Sequence, residues 1–351
     1  MADSQSFFGL PKKDQHEALL MAASSLGRPV HLLEKDIWVV WALGALFEGP
    51  FEKHLVFKGG TSLSKVHCAI NRFSEDVDVT YDIRQLIPDV VGETSSGLPR
   101  SNAQANKWTK AVRERLPVWV LEAVQPLIQR RIERDQVSAS VRSDDDKLHI
   151  DYEPSHEGTG YIQATALLEF GARSTGEPAD VQDVHCDIAP TLGDLMFPTA
   201  RPRVMRPERT FWEKATAAHV YCHQGTFRGG HRYARHWYDL LCLKTCGIAK
   251  EAIRDREVAN RVAAHKQLFF WEKASSGGVI DYKTAVAGRL RLVPEDKALS
   301  ALEEDYRKMN EDGLFSAEPP GFADLFRNSR TLSCKQTRRT AMNCEKEQVS
   351  E

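Results

Sequence analysis

No stretch of this sequence is apolar for long enough to cross a membrane. The longest apolar region, residues 37–47, is interrupted by Gly44 and preceded by the charged residues Glu34, Lys35 and Asp36. A spanning helix needs about 20 mainly apolar residues. The N-terminus also lacks the basic segment, apolar run and cleavage site of a secretory signal. We therefore expect a cytoplasmic protein with no membrane partner.

Cysteine pairs and excess positive charge are also missing. The seven cysteines are scattered without a CxxC pair, which argues against a zinc site and predicts reduced thiols. The net charge of −2 does not favour nucleic-acid binding by the chain as a whole. Hydrophobic residues make up 42% of the 351 positions, so the chain can bury the core of one large domain or of two.

Several familiar catalytic signatures are absent. A Walker loop requires a GxxxxGK segment followed by Ser or Thr, and neither Gly59 nor Gly60 leads to that sequence. The chain has no HRD or DFG segment, no GxSxG and no HExxH. A P-loop NTPase, a protein kinase, a serine hydrolase of the GxSxG type and a zinc peptidase are therefore not indicated.

The spacing of apolar residues predicts an α+β fold, in which a middle region of strands and helices has helical flanks. Two helices are expected between residues 12 and 48, separated at Gly27-Arg28-Pro29. The predicted regions are an N-terminal helical segment (1–50), a core of strands and helices (51–200), a helical C-terminal domain (201–330) and a disordered tail (331–351).

Individual elements can be predicted within these regions. Short apolar or alternating runs predict strands at 54–57, 76–81, 148–152, 162–170 and 181–188. Helices are expected at 61–70, 108–134, 208–223, 231–245, 250–265 and 296–310. Thr61 is a candidate cap for the first of these helices. Pro117 and Pro126 predict a kink or break in the second.

The densest chemical signal consists of a glycine pair followed by two carboxylates. Asp76 and Asp78 are two residues apart on a predicted strand, so their side chains point to the same face. Two hard oxygen donors suit Mg²⁺, or Mn²⁺, together with the phosphates of a substrate. The preceding strand, the glycines and a helix start form a backbone that can approach phosphate closely. The segment is Lys58-Gly59-Gly60-Thr61-Ser62.

Each part of this signal also has an ordinary structural interpretation. An Asp-x-Asp pair on a strand is more often a solvated face than a metal site, and Gly-Gly-Thr alone describes a turn and a helix cap. The two parts in this order within about 20 residues are much more specific than either alone.

The arrangement resembles the nucleotidyltransferase motif of the DNA polymerase β superfamily, and more narrowly the AbiEii/AbiGii/MenT toxin family. The resemblance covers roughly residues 30–245 and also includes the segment Glu34-Lys35-Asp36-Ile37-Trp38. The matching motifs are Lys58-Gly59-Gly60-Thr61, Arg72-Phe73-Ser74-Glu75-Asp76-Val77-Asp78, Glu208-Arg209-Thr210-Phe211-Trp212-Glu213-Lys214 and Arg235-His236-Trp237-Tyr238-Asp239.

The resemblance implies a polymerase β-like nucleotidyltransferase core and a role for each motif. Asp76 and Asp78 would bind the metal, and Lys214 and Asp239 would complete the catalytic set. A lysine suits the charge of a triphosphate, and Asp239 would orient Lys214 or a substrate hydroxyl, or pair with Arg235. The expected nucleotide-binding residues are Lys58, Gly59, Gly60, Thr61, Ser62, Arg72 and Glu169.

Two of these assignments have strong alternatives. Without the resemblance, Lys214 would be an ordinary solvated lysine on an amphipathic helix. Glu169 lies within the apolar run Leu167-Leu168-Glu169-Phe170 and is either a third metal carboxylate or an edge-strand residue that faces water.

Basic and aromatic residues are concentrated between positions 201 and 237. Positive charge beside aromatic rings suits an RNA backbone with unstacked bases, although aromatic residues at helical spacing are more often core residues. The basic side chains are Arg201, Arg203, Arg206, Arg209, Lys214, Arg228, Arg232 and Arg235, with His219, His223, His231 and His236 among them.

The combined prediction is a Mg²⁺-dependent nucleotidyltransferase that uses an NTP and releases pyrophosphate. The resemblance implies an acceptor at the tRNA 3′ end, a block of translation, and a toxin role with a cognate antitoxin in a toxin–antitoxin or phage-defence system. Two alternatives remain open: transfer to a protein or small molecule, and a non-catalytic binding partner.

Overall fold

The computed structural model describes residues 5–74, 76–155, 163–227, 232–311, 314–315 and 318–333, which form two compact units. The first unit contains the chain up to Val66, residues 73–98 and residues 107–205. The second contains residues 67–72, 99–106 and the chain from Arg206 onward. Most of the predicted tail, from position 334 on, lies outside the described residues. Among the described residues, no helix has the length and apolar character that a membrane span requires.

The helices of the first unit begin with the predicted pair. Their separation is confirmed, because Gly27 adopts a left-handed φ of 63° that ends the first helix and Pro29 precedes the second. The second helix is buried almost throughout, from Leu32 to Phe47. The helices are α1 (Lys12–Leu26), α2 (Val30–Phe47), α3 (Gly59–Lys65), α4 (Ile83–Leu86), α5 (Pro88–Val91), α6 (Asn102–Trp119), whose first five residues are assigned to the second unit, and α7 (Gln125–Asp135).

The strands of the first unit form one seven-stranded sheet and two small two-stranded sheets. They are β1 (Gln5–Ser6), β2 (Leu55–Lys58), β3 (Asp76–Tyr81), β4 (Ala139–Asp144), β5 (Lys147–Tyr152), β6 (Thr165–Gly171), β7 (Ala179–Val181), β8 (Val184–His185), β9 (Leu195–Met196), β10 (Thr199–Ala200) and β11 (Arg203–Met205). The large sheet has the order β4-β5-β6-β3-β2-β11-β7.

This large sheet is mixed and packs against helix α2. The pairs β3–β6 and β2–β11 are parallel, and the other neighbours are antiparallel. Helix α2 contacts β3, β6 and β10 and also the helices α1 and α7. The sheet and its covering helices confirm the predicted α+β class.

The strand predictions were accurate where apolar residues alternate clearly. The bounds of β3 agree with the prediction, and β2, β5 and β6 lie within a few residues of it. The single strand predicted at 181–188 was wrong, because β7 pairs with β11 whereas β8 pairs with β10 in another sheet. Strand β4 was not predicted, since Ala139 and Val141 are its only apolar residues.

The predicted long helix passes both prolines with a local change of helix type rather than a break. Helix α6 starts at Asn102, earlier than expected, and contains Pro117. A π-helical stretch, Val120–Val124, joins it to α7. Pro126 is the second residue of α7 and follows directly after the π-helical stretch. Wider π turns absorb such irregularities within a helix.

The second unit is helical around a core of aromatic side chains. The buried Trp212 donates a hydrogen bond from Nε1 to the carbonyl of Ala252 at 2.9 Å, and Trp237 donates one to Leu292 at 2.8 Å. Its helices are α8 (Pro207–Gln224), α9 (Ala234–Thr245), α10 (Ile248–Arg254), α11 (Arg256–Phe269), α12 (Tyr282–Thr284), α13 (Asp296–Glu311) and a further one over 322–333.

These helices confirm the four predicted in this part of the chain, with one difference. The single helix predicted at 250–265 is two helices, because the chain turns at Asp255. The side chain of Asp255 accepts a hydrogen bond from the N–H of Val258 at 3.0 Å, which is the usual way a carboxylate caps a helix start.

Candidate active site

Strand β3 carries two carboxylates on one face. Asp76 and Asp78 are half-buried, whereas Val77 and Val79 between and beyond them are fully buried. Side chains along a strand alternate between faces, so the two aspartates lie on the face opposite to the valines. This is the arrangement that the predicted metal site requires, and the metal-binding role itself stays a prediction.

Gly59 brings the backbone of the preceding turn against one of these carboxylates. It has a φ of 83°, and a Cβ atom at this position would stand 2.0 Å from Asp78 Oδ2. Strand β2 places Lys58 in register with Asp78 on the neighbouring strand. Any side chain at position 59 would strain the backbone at this φ and displace either the turn or the Asp78 carboxylate, which strongly favours glycine here.

Helix α3 begins at Gly59 and is joined to β3 by Thr61. Thr61 Oγ1 donates to the carbonyls of Asp76 at 2.5 Å and Ser74 at 3.1 Å. Ser62 Oγ donates to the carbonyl of Gly59 at 3.0 Å. The expectation that Thr61 caps the helix was wrong, since Thr61 lies inside it and connects it to the strand that holds the aspartates.

A row of charged side chains runs across the sheet through Asp78. Asp78 is in register with Glu169 on β6, and Glu169 is in register with Lys147 on β5. Residues in register on adjacent strands share a face. Lys147 and Glu169 form an ion pair, and the hydrogen bond to Glu169 raises the pKa of Lys147. Sequence reasoning missed Lys147, because the pairing of β5 with β6 cannot be read from either strand alone.

The donors at this site fit a hard divalent cation held mainly by two carboxylates. In the part of the chain that the structure describes, no three or more His, Cys, Asp or Glu side chains converge as a ligand group. Mg²⁺ commonly takes one or two protein carboxylates and completes its shell with water and substrate phosphates. The pair Asp76 and Asp78 is within the number of carboxylates that Mg²⁺ commonly takes from a protein, while Glu169 is bound to Lys147.

The second unit contains a buried cluster of three charged residues. Arg72 binds Asp239 through two hydrogen bonds, from Nε to Oδ1 at 2.7 Å and from Nη2 to Oδ2 at 2.8 Å. Lys214 Nζ on α8 lies 2.8 Å from Asp239 Oδ2 on α9. Asp239 is completely buried, and Arg72 and Lys214 are nearly so. The exposed Arg235 is not the partner of Asp239.

Electrostatics in this cluster favour a charged Asp239. Burial alone would raise the pKa of Asp239, but the attraction of Arg72 and Lys214 outweighs burial and holds the pKa well below its usual range. Burial lowers the pKa of Lys214, and the nearby positive charge of Arg72 adds to this effect. Lys214 is thus held beside a negative charge, and the role of Asp239 in orienting it for a substrate stays a prediction.

The predicted basic and aromatic stretch divides into core and surface. Phe211, Trp212 and Trp237 are fully buried, which confirms the interpretation of these rings as core. Arg209 is buried and paired with Glu213 at 3.1 Å. The side chains of Arg201, Arg206 and Arg235 reach solvent to differing degrees, whereas Arg228 and His231 lie outside the described residues.

The comparison with protein families decides the identity. The family described as nucleotidyl transferase AbiEii toxin, Type IV TA system, matches residues 41–328. The chain belongs to this family. The resemblance inferred from the motifs is thereby confirmed, and the match extends through most of the second unit.

Membership in the AbiEii family makes the protein a nucleotidyltransferase toxin of a type IV toxin–antitoxin system. The family assignment implies an NTP substrate and an antitoxin partner. Among solved structures, the chain is similar to MenT4, the nucleotidyltransferase toxin Rv2826c from Mycobacterium tuberculosis H37Rv. The two share 17% identity with a TM-score of 0.46, covering 94% of this chain and 90% of MenT4. No curated protein sequence matches.

Proposed function

We propose that this AbiEii-family toxin transfers a nucleoside monophosphate from an NTP to a hydroxyl at the 3′ end of tRNA, and so blocks translation. The observation that carries the proposal is the pair Asp76 and Asp78 on one face of β3, with the backbone of Gly59 packed against Asp78. A carboxylate pair beside a close backbone turn suits a metal-bound triphosphate.

In the proposed reaction, the acceptor oxygen bonds to the α-phosphorus and the bond from that phosphorus to pyrophosphate breaks. The acceptor proton passes to water. Asp76 and Asp78 would hold Mg²⁺, and the ion would supply positive charge to the phosphate oxygens when bound. The backbone of Gly60, Thr61 and Ser62 lines the phosphate side, with Lys58 and Arg72 as further nucleotide-binding residues.

Lys214 is assigned to the triphosphate charge in this proposal. Asp239 holds the lysine in place, because its carboxylate is 2.8 Å from Lys214 Nζ. Arg72 occupies the other side of the same carboxylate. This arrangement restricts the long lysine side chain, which reduces the conformational entropy that it would lose on binding phosphate.

The RNA acceptor rests mainly on the family resemblance, with limited support from charge. Arg235 is exposed on the second unit, whereas Arg201 and Arg206 each pair with a carboxylate, Asp183 and Glu208, at 3.4 Å, and the chain as a whole has a net charge of −2. A phosphate backbone is attracted by local positive charge, and its binding weakens with salt. Modification of the terminal hydroxyl would prevent aminoacylation, which gives the block of translation.

The test incubates the purified protein with total tRNA, Mg²⁺ and each labelled NTP in turn. Label should appear on tRNA with one or more NTPs, and Asp78→Asn should remove it while leaving the fold intact. Asp151→Asn is the matched control, because Asp151 is another half-buried strand carboxylate of the same sheet, bound to Arg142 and Thr165. This control should transfer label like the wild-type protein.

The other outcomes separate the alternatives. Label on protein instead of RNA would indicate a protein-modifying transferase. Label on tRNA that persists in Asp78→Asn would contradict the site assignment. An absence of label anywhere, with antitoxin-free protein and Mg²⁺ or Mn²⁺, would favour a binding role.

A further inference from the structure

A buried ion-pair network lies at the far end of helix α3 from the glycines. Lys65 Nζ is 2.6 Å from Asp36 Oδ1 and 2.6 Å from Asp187 Oδ1. The second oxygen of Asp36 accepts a hydrogen bond from the backbone N–H of Asp187 at 2.7 Å, and Arg28 pairs with the second oxygen of Asp187. The side chains of Lys65 and Asp36 are 7% and 5% exposed. Two cations and two anions therefore balance within the protein.

This network joins three separate parts of the first unit. Asp36 belongs to α2, Lys65 is the last residue of α3, and Asp187 follows strand β8. The segment Glu34–Trp38, which the proposed reaction leaves without a role, thus supplies one of the anions. Its Glu34 also accepts a hydrogen bond from the N–H of Ser155 at 2.8 Å.

Helix α3 needs such attachments because it is very short. Helices of this length are marginal in water, so tertiary contacts must hold them. Thr61 attaches the first half of α3 to the backbone of β3, and Lys65 attaches the other end to Asp36 and Asp187. Between them these contacts set the position of Gly59, whose backbone abuts Asp78.

We infer that Lys65 and Asp36 are positioning residues that hold the Gly59–Ser62 turn against Asp78 in the geometry used for the nucleotide. The inference rests on the proposed function of Asp78. It assigns the pair an effect on nucleotide binding rather than on the fold. Stability alone does not explain a buried pair of this kind, since neutral residues of similar volume are often as stabilising.

The choice of variant follows from the charges. Removal of Lys65 alone would leave two buried carboxylates facing each other, and the chain would be expected to unfold. The double variant Asp36→Asn/Lys65→Met removes one charge of each sign and keeps the volumes, while Asp187 retains Arg28. It tests positioning without a buried unpaired charge.

The experiment compares the double variant with the wild-type chain by NTP steady-state kinetics and by hydrogen exchange of residues 59–65. We expect kcat/KM for the NTP to fall about 10- to 100-fold, the scale of rate loss that displacements near 1 Å produce. The melting temperature should stay close to that of the wild type, kcat should change less than KM, and exchange should speed up at 59–65 but not in strand β5.

A second double variant controls for the loss of any partly buried ion pair. Arg131→Met/Asp135→Asn removes a 2.6 Å pair on α7 and should leave both readouts unchanged. An unchanged kcat/KM and unchanged exchange at 59–65 in the Asp36/Lys65 variant would overturn the inference. If the wild-type chain transfers no label, the proposed function fails, and selective exchange at 59–65 still decides whether the pair anchors the turn.

Discussion

The backbone of Gly59 lies directly against the carboxylate of Asp78. A Cβ atom at position 59 would stand 2.0 Å from Asp78 Oδ2 and 2.8 Å from its Cγ. Thus a single methyl group would require either the turn or the carboxylate to move. The contact links a feature of the sequence, the first glycine of a pair, to the orientation of a candidate metal ligand.

Gly59→Ala should therefore reduce nucleotidyl transfer by about 100-fold, the scale expected for a displacement near 1 Å at a reacting centre. The measurement is the initial rate of label transfer at saturating NTP. Gly27→Ala is the matched control: Gly27 also has a positive φ, 63°, but nothing lies within 4 Å of a Cβ there. Its strain should lower stability by roughly 1 kcal/mol without loss of activity. Equal losses of activity in both variants would show that backbone strain, not the contact with Asp78, is responsible.

Nucleotide binding should depend on the metal and on Asp78. With Mg²⁺, an NTP at about 100 times its dissociation constant should stabilise the wild-type protein by roughly 2.7 kcal/mol, seen as a rise in melting temperature. EDTA should abolish the shift, and Asp78→Asn should show little of it. A full shift in EDTA would mean that the nucleotide binds without the proposed metal.

Asp239→Asn should destabilise the second unit strongly. The variant leaves Arg72 and Lys214 buried without the anion between them, and a broken buried pair costs on the order of 3–5 kcal/mol. Urea denaturation measures the loss. Glu304→Gln is the control, because Glu304 pairs with Arg307 at the surface of the same unit and its loss should have little effect. A mild effect of Asp239→Asn would show that the cluster is not a structural unit.

The same cluster predicts a dependence of stability on acid. The pKa of Asp239 is lower in the folded protein than its ordinary value of 3.8. Its contribution is therefore complete above pH 3.8 and is lost as the pH falls below that value towards the folded pKa. The stability advantage of the wild type over Asp239→Asn should shrink in that acidic window, as measured by urea denaturation at a series of pH values.

The lowered pKa of His219 predicts a second pH dependence of folding stability, at less acidic pH than that of Asp239. Burial, with help from His223 and Arg291, lowers the pKa of His219 from 6.5 to about 4. The unfolded chain takes up the proton first, so stability should fall as the pH drops from 6.5 to 4, by roughly 3 kcal/mol. His219→Gln keeps an acceptor for the Arg291 N–H and should lose this part of the pH dependence. Parallel curves for variant and wild type would contradict the assignment.

Much of the fold could be predicted because its signals are local. The alternation of Asp76 to Tyr81 predicts β3 with its correct bounds, and the helical spacing near Trp212 predicts α8. Strand β4 was not predicted because it has too few apolar residues. Residues 181–188 were predicted as one strand because the sequence does not show that β7 and β8 belong to different sheets.

The candidate site shows the same division. The glycine pair and the Asp-x-Asp spacing identify it, since both depend on residues near each other in the chain. Other charged pairs that the structure reveals join residues far apart in the chain: Lys147 is 22 positions from Glu169 in the first unit, and Asp239 is 167 positions from Arg72 in the second. Local sequence patterns do not predict ion pairs between residues so far apart in the chain.

The α+β class, the family, the acidic pair and the glycine turn can all be recognised without coordinates. They follow from side-chain periodicity and residue type within short windows. Three relationships became visible only in the folded chain: Thr61 joins α3 to β3, Arg72 and Lys214 share Asp239, and Lys65 is anchored by Asp36 and Asp187. A buried charged side chain needs a partner of opposite charge. Which residue becomes that partner depends on how the helices and strands pack together, not on their order in the chain.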